Sequence, residues 1–282
     1  MKLLVTGCSS YIGSYVVKNL LKSGHSVVGI SRKDPNIKHD DFIWIEHDLT
    51  KESDDLDIKS ADIMIHFAAQ AWPGKPAMEY VQSNVVLTRN VVNLATRLMP
   101  KLIMYSSSIN VYGQVKDREL TEKTVILNPC VYGLTKYLGE QLIMESGIPY
   151  FIMRLPGVIG IGSHGWINNV FHKLSRNDKL TVKDNPYNNL IHVKDIFDLI
   201  NQYLEKEINS NFIGNICCDG ISNSLHVVYR MKDFLKSKSI IKHENNENYF
   251  TISNQKLKKI YTPMSVLESI ELYLNEMKES SC

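Results

Sequence analysis

The sequence predicts an α/β fold, a Rossmann-type doubly wound parallel sheet with a small C-terminal substrate lobe. Three observations carry this. Short apolar runs alternate with amphipathic segments through the first 155 residues, the rhythm of strand–helix–strand units. The first run, KLLVT (2–6), leads directly into TGCSSYIG and a helical pattern. After residue 155 the alternation loosens into glycine-rich and mixed segments. We therefore expect a dinucleotide-binding core over 1–155 and a smaller substrate lobe over 156–282, with about 188–218 returning to the core.

The elements follow in order. KLLVT suits a buried parallel strand. YVVKNLLKSG has apolar residues at helical spacing and stops at Gly24. SVVGIS (26–31), FIWIEHDL (42–49) and DIMIHFAA (62–69) read as the next three strands. Residues 77–98 show helical periodicity, and KLIMYSSS (101–108) is a strand with a polar tip. YGLTKYLGEQLIMES (132–146) reads as a helix and PYFIMRL (149–155) as a strand. PGVIGIGSHG (156–165) is expected to be a loop, and NLIHVKDIFDLINQYLE a short strand followed by a helix starting near Asp195. GNICC reads as a last strand. LHVVYRMKDFLKS and MSVLESIELYLNEMK read as helices of the lobe, and KHENNENYF as a polar surface loop.

Composition narrows the function. The chain has 282 residues, 44% of them hydrophobic, enough for a sizeable core and against global disorder. Lys and Arg total 32 and Asp and Glu 30, and the net charge of +2 gives no field that argues for nucleic acid. MKLLVTG turns polar too soon for a signal peptide. No apolar run approaches the ~20 residues that span a bilayer. The expectation is a cytoplasmic protein without a membrane partner. The cysteines are Cys8, Cys130, Cys217, Cys218 and Cys282, an odd count without C-x-x-C spacing. Reduced thiols and no metal are expected, with Cys217 and Cys218 on opposite faces of a strand.

TGCSSYIG places a glycine-rich turn between a strand and a helix, where backbone N–H groups can hold a phosphate. Gly7 makes the tight turn and Gly13 lets the helix approach the strand. Ser10 stands where such loops carry a middle glycine; its hydroxyl can itself donate to a phosphate. An ordinary βα turn is the competing reading. The second strand ends Ser31-Arg32-Lys33, where an acid would bond the ribose hydroxyls of NAD. Two cations there attract a 2′-phosphate. NADP(H) is expected to be preferred and NAD(H) possible, with Asp34 the residue that argues the other way.

Tyr132 and Lys136 lie four apart on a predicted helix and share a face. An ammonium beside a phenol lowers its pKa from about 10, which suits a group that gives and takes a proton near neutrality. Ser106 to Ser108 end the strand upstream, at the same carboxyl edge of the sheet as the glycine-rich turn.

With these pieces the chain resembles the extended short-chain dehydrogenases/reductases, the NAD(P)-dependent sugar-nucleotide epimerase/dehydratase group. The matching pieces, in order, are TGCSSYIG, Asp48-Leu49, HFAA (66–69), Asn84, YSSSINVYG (105–113), YGLTK and LIHVKD (190–195). The resemblance implies Ser108, Tyr132 and Lys136 as the catalytic residues. It implies cofactor contacts from Gly7, Ser9, Ser10, Tyr11, Ile12, Gly13, Ser31, Arg32, Asp48 and Leu49. Phe67, Ala68, Ala69, Asn84 and Leu155 complete that set, together with Tyr132 and Lys136. Gln70, Trp72, Ser108, Asn110, Tyr112 and His164 are the substrate-pocket candidates, although Trp72 and Tyr112 read equally as core. A homodimer through residues 77–98 and 132–146 is the family expectation.

The departures steer the choice of reaction. The family's dehydratases carry an Asp-Glu pair where this chain has Ile109 and Asn110. Its 3,5-acting epimerase–reductases carry a cysteine where Asn110 stands, though His164 is available as an acid or base. Its 4-epimerases typically carry the acid that Ser31 replaces. A diphosphate-binding arginine usually precedes the LIHV-type strand, and Asn188-Asn189 stand there, with Lys173, Arg176 and Lys183 as substitutes. His192 reads as a hydrogen-bonded structural residue. The resulting expectation is an NADPH-dependent reductase of a 4-keto-6-deoxy sugar nucleotide. A nucleotide-sugar 4-epimerase with tightly bound NAD is the first alternative, and a non-catalytic NADP(H)-binding regulator the second.

Overall fold

The computed structural model describes residues 1–53, 56–206, 210–245 and 248–280. Seven strands form the central parallel sheet: β1 Lys2–Thr6, β2 Ser26–Ser31, β3 Phe42–Glu46, β4 Ile63–His66, β5 Leu102–Ser108, β6 Tyr150–Leu155 and β7 Phe212–Asn215. The helices are α1 Tyr11–Lys22, α2 Ala77–Tyr80, α3 Leu87–Leu98, α4 Val131–Glu145, α5 Trp166–Ser175, α6 Val193–Glu205, α7 Ser224–Phe234 and α8 Val266–Glu279. A π-helical segment, Val81–Val86, joins α2 to α3.

The strand order is β7-β6-β5-β4-β1-β2-β3. The chain winds outward from β1 to β3 and then crosses back to β4. This reversal beside β1 opens a crevice at the carboxyl ends of β1 and β4. Thr6 pairs with His66 across that edge, so the loops that follow the two strands begin side by side.

The strands form where the sequence is continuously apolar. Leu3, Leu4, Val5, Met64, Ile65, Ile103 and Met104 are all inaccessible to solvent, as a sheet covered on both faces requires. One layer of the core joins Leu4, Met64, Ile103 and Ile152 to Val91, Leu94 and Ala95 of α3 and Ile143 of α4. Ser10 caps the start of α1 and Ser265 closes a capping box with Glu268 on α8, each satisfying N–H groups the helix leaves unpaired.

Contacts divide the chain into two compact units. The first comprises 1–114, 125–154 and 197–214; the second comprises 115–124, 155–196 and 215–282. The returning segment is thus narrower than 188–218, and 115–124 belongs with the later residues. The second unit is built from short strand pairs and helices. Glu119–Leu120 pairs with Thr251–Ile252, Gly157–Ile159 with Leu190–His192, and Leu180–Asp184 with Ile241–Asn245.

Three local expectations are corrected here. PGVIGIGSHG is not wholly a loop, because Gly157–Ile159 finds a partner strand distant in sequence. KHENNENYF begins with strand residues for the same reason, and Asn246 and Glu247 lie outside the described residues. Cys217 and Cys218 follow β7 instead of alternating along it, yet both are buried and unpaired as thiols. Cys282 lies outside the described residues. Among the described residues, no helix is long and apolar enough to cross a membrane.

A methyl group placed on Gly139 of α4 would lie 2.2 Å from the hydroxyl oxygen of Tyr105, which is fully buried on β5. Overpacking of this kind costs about 1–3 kcal/mol. We expect Gly139→Ala to lose that much stability in urea unfolding; an unchanged midpoint would mean that Tyr105 yields freely.

Candidate active site

The glycine-rich turn after β1 has the shape of an anion cradle. Gly7 has φ of +71°, and a Cβ there would lie 2.6 Å from the backbone nitrogen of Ala68. Both facts demand glycine, and the second shows how tightly the loops after β1 and β4 approach. A Cβ on Gly13 would lie 2.2 Å from the Gly7 carbonyl oxygen. Ser10, by contrast, has φ of −72°, where any residue fits. Its Oγ accepts from the Gly13 N–H at 3.1 Å, which leaves the hydroxyl proton for an anion. Ser9 is exposed, and Tyr11 and Ile12 are half-buried at the first turn of α1.

At the end of β2, Ser31 is buried and its oxygen is engaged within the protein. It accepts from the Trp44 indole N–H at 3.1 Å and donates to the Lys33 carbonyl at 2.7 Å, with the Cys8 Sγ 3.1 Å away. Burial pushes the Cys8 thiol up. Arg32 is exposed. Asp48 follows β3. Partial burial raises its pKa, but the Thr50 N–H and hydroxyl, at 3.1 and 2.9 Å, and the charges of Arg32 and Lys51 hold it below the usual carboxylate range. Leu49 and Phe67 are buried, Ala68 is half-buried and Ala69 exposed; Leu155, the last residue of β6, is buried.

Ser108, the last residue of β5, stands near Tyr132, in the first turn of α4, and its side chain favours the ionised phenol. Lys136 is 2% exposed, one turn further along α4, and its Nζ lies 4.2 Å from the centre of the Tyr105 ring. The structure thus brings the three expected catalytic residues to one end of the sheet. It corrects their electrostatics. Burial pushes Tyr132 up to about 12, only partly offset by the neighbouring Ser108 side chain. Burial brings Lys136 down to about 7, opposed by the charge of Glu140. The lysine is not what sets the phenol here: burial dominates, and Ser108 is the neighbour that lowers it.

His66 flanks this group and its protonation is fixed by its neighbours. Thr88 donates its hydroxyl to the Asn84 carbonyl at 2.5 Å, so it can only accept from His66 Nε2 at 3.0 Å. Nδ1 then accepts from the Thr6 hydroxyl at 2.7 Å. Both nitrogens are engaged as in a neutral ring, and burial, followed by the Lys136 charge, keeps His66 well below its ordinary pKa.

Asn84 sits in the π-helical segment and is buried. Its amide oxygen accepts from the Gln70 N–H at 2.7 Å, and its amide nitrogen donates to Thr135 at 3.0 Å and to the Gln70 carbonyl at 3.2 Å. It ties α4 to the loop after β4. Gln70 spends its side chain on Glu79 and the Trp72 N–H. Trp72 is 55% exposed and Asn110 is exposed. Tyr112 is not a pocket residue: it is fully buried, and its hydroxyl accepts from Arg154 at 2.9 Å. His164 lies exposed in the second unit, before α5. In that unit Asn188 clamps the backbone of Ile252 in both directions, at 2.7 and 2.9 Å. His192 accepts from the Lys194 N–H and lies 3.3 Å from Glu276.

Two residues went unnoticed in the sequence. Glu140 on α4 and Arg154 on β6 form a buried fork at 3.0 and 2.7 Å, one helical turn beyond Lys136. The available signal was Arg154 itself, a cation inside the apolar run YFIMRL.

The model of the NAD dependent epimerase/dehydratase family matches residues 3–217. A UDP-glucose 4-epimerase from Caenorhabditis elegans is 29% identical over 175 residues, covering 52% of this chain and 50% of the relative. The chain thus spans about half the length of that relative. A UDP-glucose 4-epimerase from Yersinia enterocolitica is 27% identical over 283 residues, covering 83% and 82%. A solved UDP-glucuronic acid 4-epimerase from Bacillus cereus, in complex with NAD, shares the fold with a TM-score of 0.82 at 22% identity, over 99% of this chain and 97% of that one.

These matches overturn the expected 4-keto-6-deoxy sugar reductase in favour of the 4-epimerase alternative. The reductase reading set epimerases aside because Ser31 replaces an acid. That position lies at the adenosine end of such a cofactor and does not decide the chemistry at the sugar.

The low pKa of Lys136 has a sign that stability measurements can check. Between pH 7 and 9 the unfolded chain keeps this proton, since free lysine titrates near 10.4, while the folded protein loses it. Stability should therefore rise with pH across this window. We expect Lys136→Met to flatten the rise in urea unfolding at pH 7 and 9; an identical slope in both proteins would contradict a buried, easily deprotonated lysine.

Proposed function

The chain belongs to the NAD dependent epimerase/dehydratase family, and from that membership we propose that it is a nucleotide-sugar 4-epimerase acting on a UDP-hexose. The family is of the extended short-chain dehydrogenase/reductase type. The observation that carries the reading is the placement of Tyr132 and Lys136 on one face of α4, with Ser108 near the phenol.

The cradle of Gly7, Ser10 and Gly13 suits a dinucleotide pyrophosphate. A bound nicotinamide ring supplies the hydride acceptor and donor. The protein's own part is proton handling. Inverting C4 requires one group that takes the proton of the 4-hydroxyl and returns it to the same oxygen. Tyr132 Oη does both, in alternate protonation states. Ser108 Oγ orients the oxygen, and Lys136 Nζ stabilises the phenolate when that forms. Ile109 and Asn110 supply no second acid, which fits a reaction that eliminates nothing.

For the cofactor, the finer reading remains NADP over NAD. The Ser31 oxygen is already engaged, so the 2′ position falls to the exposed Arg32, whose charge also acts on Asp48. For the assembly, we infer a homodimer through α4. Val131, Leu134 and Leu138 are 42%, 45% and 40% exposed and spaced to share one face.

Purified protein given UDP-galactose, without added coenzyme, should form UDP-glucose with no net change in nicotinamide absorbance. The coenzyme released on denaturation identifies NAD or NADP. Tyr132→Phe should lose a factor of about 10²–10⁴ in kcat while retaining coenzyme. Absence of interconversion by wild-type protein, or full activity in the variant, would remove the proposal. Sedimentation should show a dimer that Leu134→Asp with Leu138→Asp converts to monomer; a monomeric wild type would rule out the α4 interface.

A further inference from the structure

We propose that Glu140 is a positioning residue for the tyrosine–lysine pair: clamped by Arg154 and Ser107, it holds α4 in register on β5 and supplies the buried counter-charge of Lys136. The inference rests on the reading of Tyr132 as the acid/base.

Tyr132, Lys136 and Glu140 stand at successive i, i+4 steps on α4 and therefore line one face. Glu140 is fully buried. Arg154 on β6 donates to both of its carboxylate oxygens, from Nε at 3.0 Å and Nη2 at 2.7 Å, and Ser107 on β5 donates to Oε1. A bidentate fork fixes distance and angle together. One carboxylate thus joins α4, β5 and β6. Ser107 immediately precedes Ser108, the neighbour of Tyr132. A slide of α4 by one residue is about 1.5 Å, enough to carry Tyr132 out of reach of Ser108, and the fork prevents it. The remaining Arg154 nitrogen, Nη1, reaches the Tyr112 hydroxyl at 2.9 Å. This also secures the Ile109–Tyr112 turn that follows Ser108.

The electrostatic half follows from what surrounds Lys136. Its own helix contributes Tyr132 and Glu140. From β4 comes His66, locked neutral by Thr6 and Thr88. From β5 comes the face of Tyr105, whose phenol burial keeps protonated. Arg154 lies beyond Glu140, with its charge spent on that carboxylate. Glu140 is the one anion of this set. Burial drives Lys136 toward the neutral amine and Glu140 opposes it.

The test follows Lys136 directly. In protein carrying isotope-labelled lysine, the Lys136 resonance, assigned with Lys136→Arg, should titrate near pH 7 in the wild type. In Glu140→Gln the midpoint should fall by about one pH unit or more, the effect of removing a nearby opposite charge. Glu140→Gln can strand the guanidinium and unfold the protein. The paired variant Glu140→Gln with Arg154→Met removes both buried charges and must also show a fall, smaller because the lost guanidinium offsets part of the lost carboxylate. A midpoint equal to wild type in a folded variant would overturn the proposal. Epimerisation is measured on the same samples. If the wild-type protein is inactive, the epimerase reading fails while the titration still decides the role of Glu140.

Discussion

An ammonium group inside a protein gives up hydration worth several kcal/mol after relaxation, and Lys136 is 2% exposed. The arrangement around it answers that cost. The Tyr105 ring faces the charge, Glu140 lies one turn away, and His66 adds no second cation because threonines on both sides fix it as a neutral ring. Gly139 keeps the helix close enough for these contacts, since no side chain fits between α4 and Tyr105. The active end of the sheet is thus a dry region in which one amine is held near its titration point.

The same dryness acts on Tyr132. A phenol pushed up to about 12 is a poor base on its own. In the proposed reaction it relies on Ser108 and on a charged lysine, and their placement depends on how α4 lies on β5. On the proposed reading, a carboxylate away from the reacting atoms then acts on the chemistry through placement. The Glu140–Arg154 fork sits where helix, strand and turn meet, and a shift there reaches every member of the group.

The two departures in the loops expected to hold a cofactor, Ser10 and Ser31, have a common physical character. Each is a small hydroxyl residue whose oxygen a neighbour captures, the Gly13 N–H in one case and the Trp44 indole in the other. Ser10 is tolerated because its backbone lies at an ordinary negative φ, whereas Gly7 has no such latitude. Substitution at the adenosine end changes coenzyme recognition. It carries no information about which carbon of a sugar is inverted, and inferring a reductase from Ser31 joined two questions that the fold keeps apart.

Local pattern sufficed for much of the fold. Apolar runs located the first five strands and β6, helical spacing located α1 and α4, and the glycine-rich turn located the carboxyl edge where function gathers. The order of Ser108, Tyr132 and Lys136 along the chain was enough to group them, because strand ends and helix starts meet at that edge in a parallel sheet. Tertiary structure decided the rest. Short strands such as Gly157–Ile159 and Ile241–Asn245 exist only because distant partners complete their hydrogen bonds. Tyr112 became core, Asn188 became a backbone clamp and His66 became neutral through contacts across many residues. Above all, the protonation of Tyr132 and Lys136 was decided by burial, which sums over every element packed around a side chain and so leaves no mark in sequence spacing.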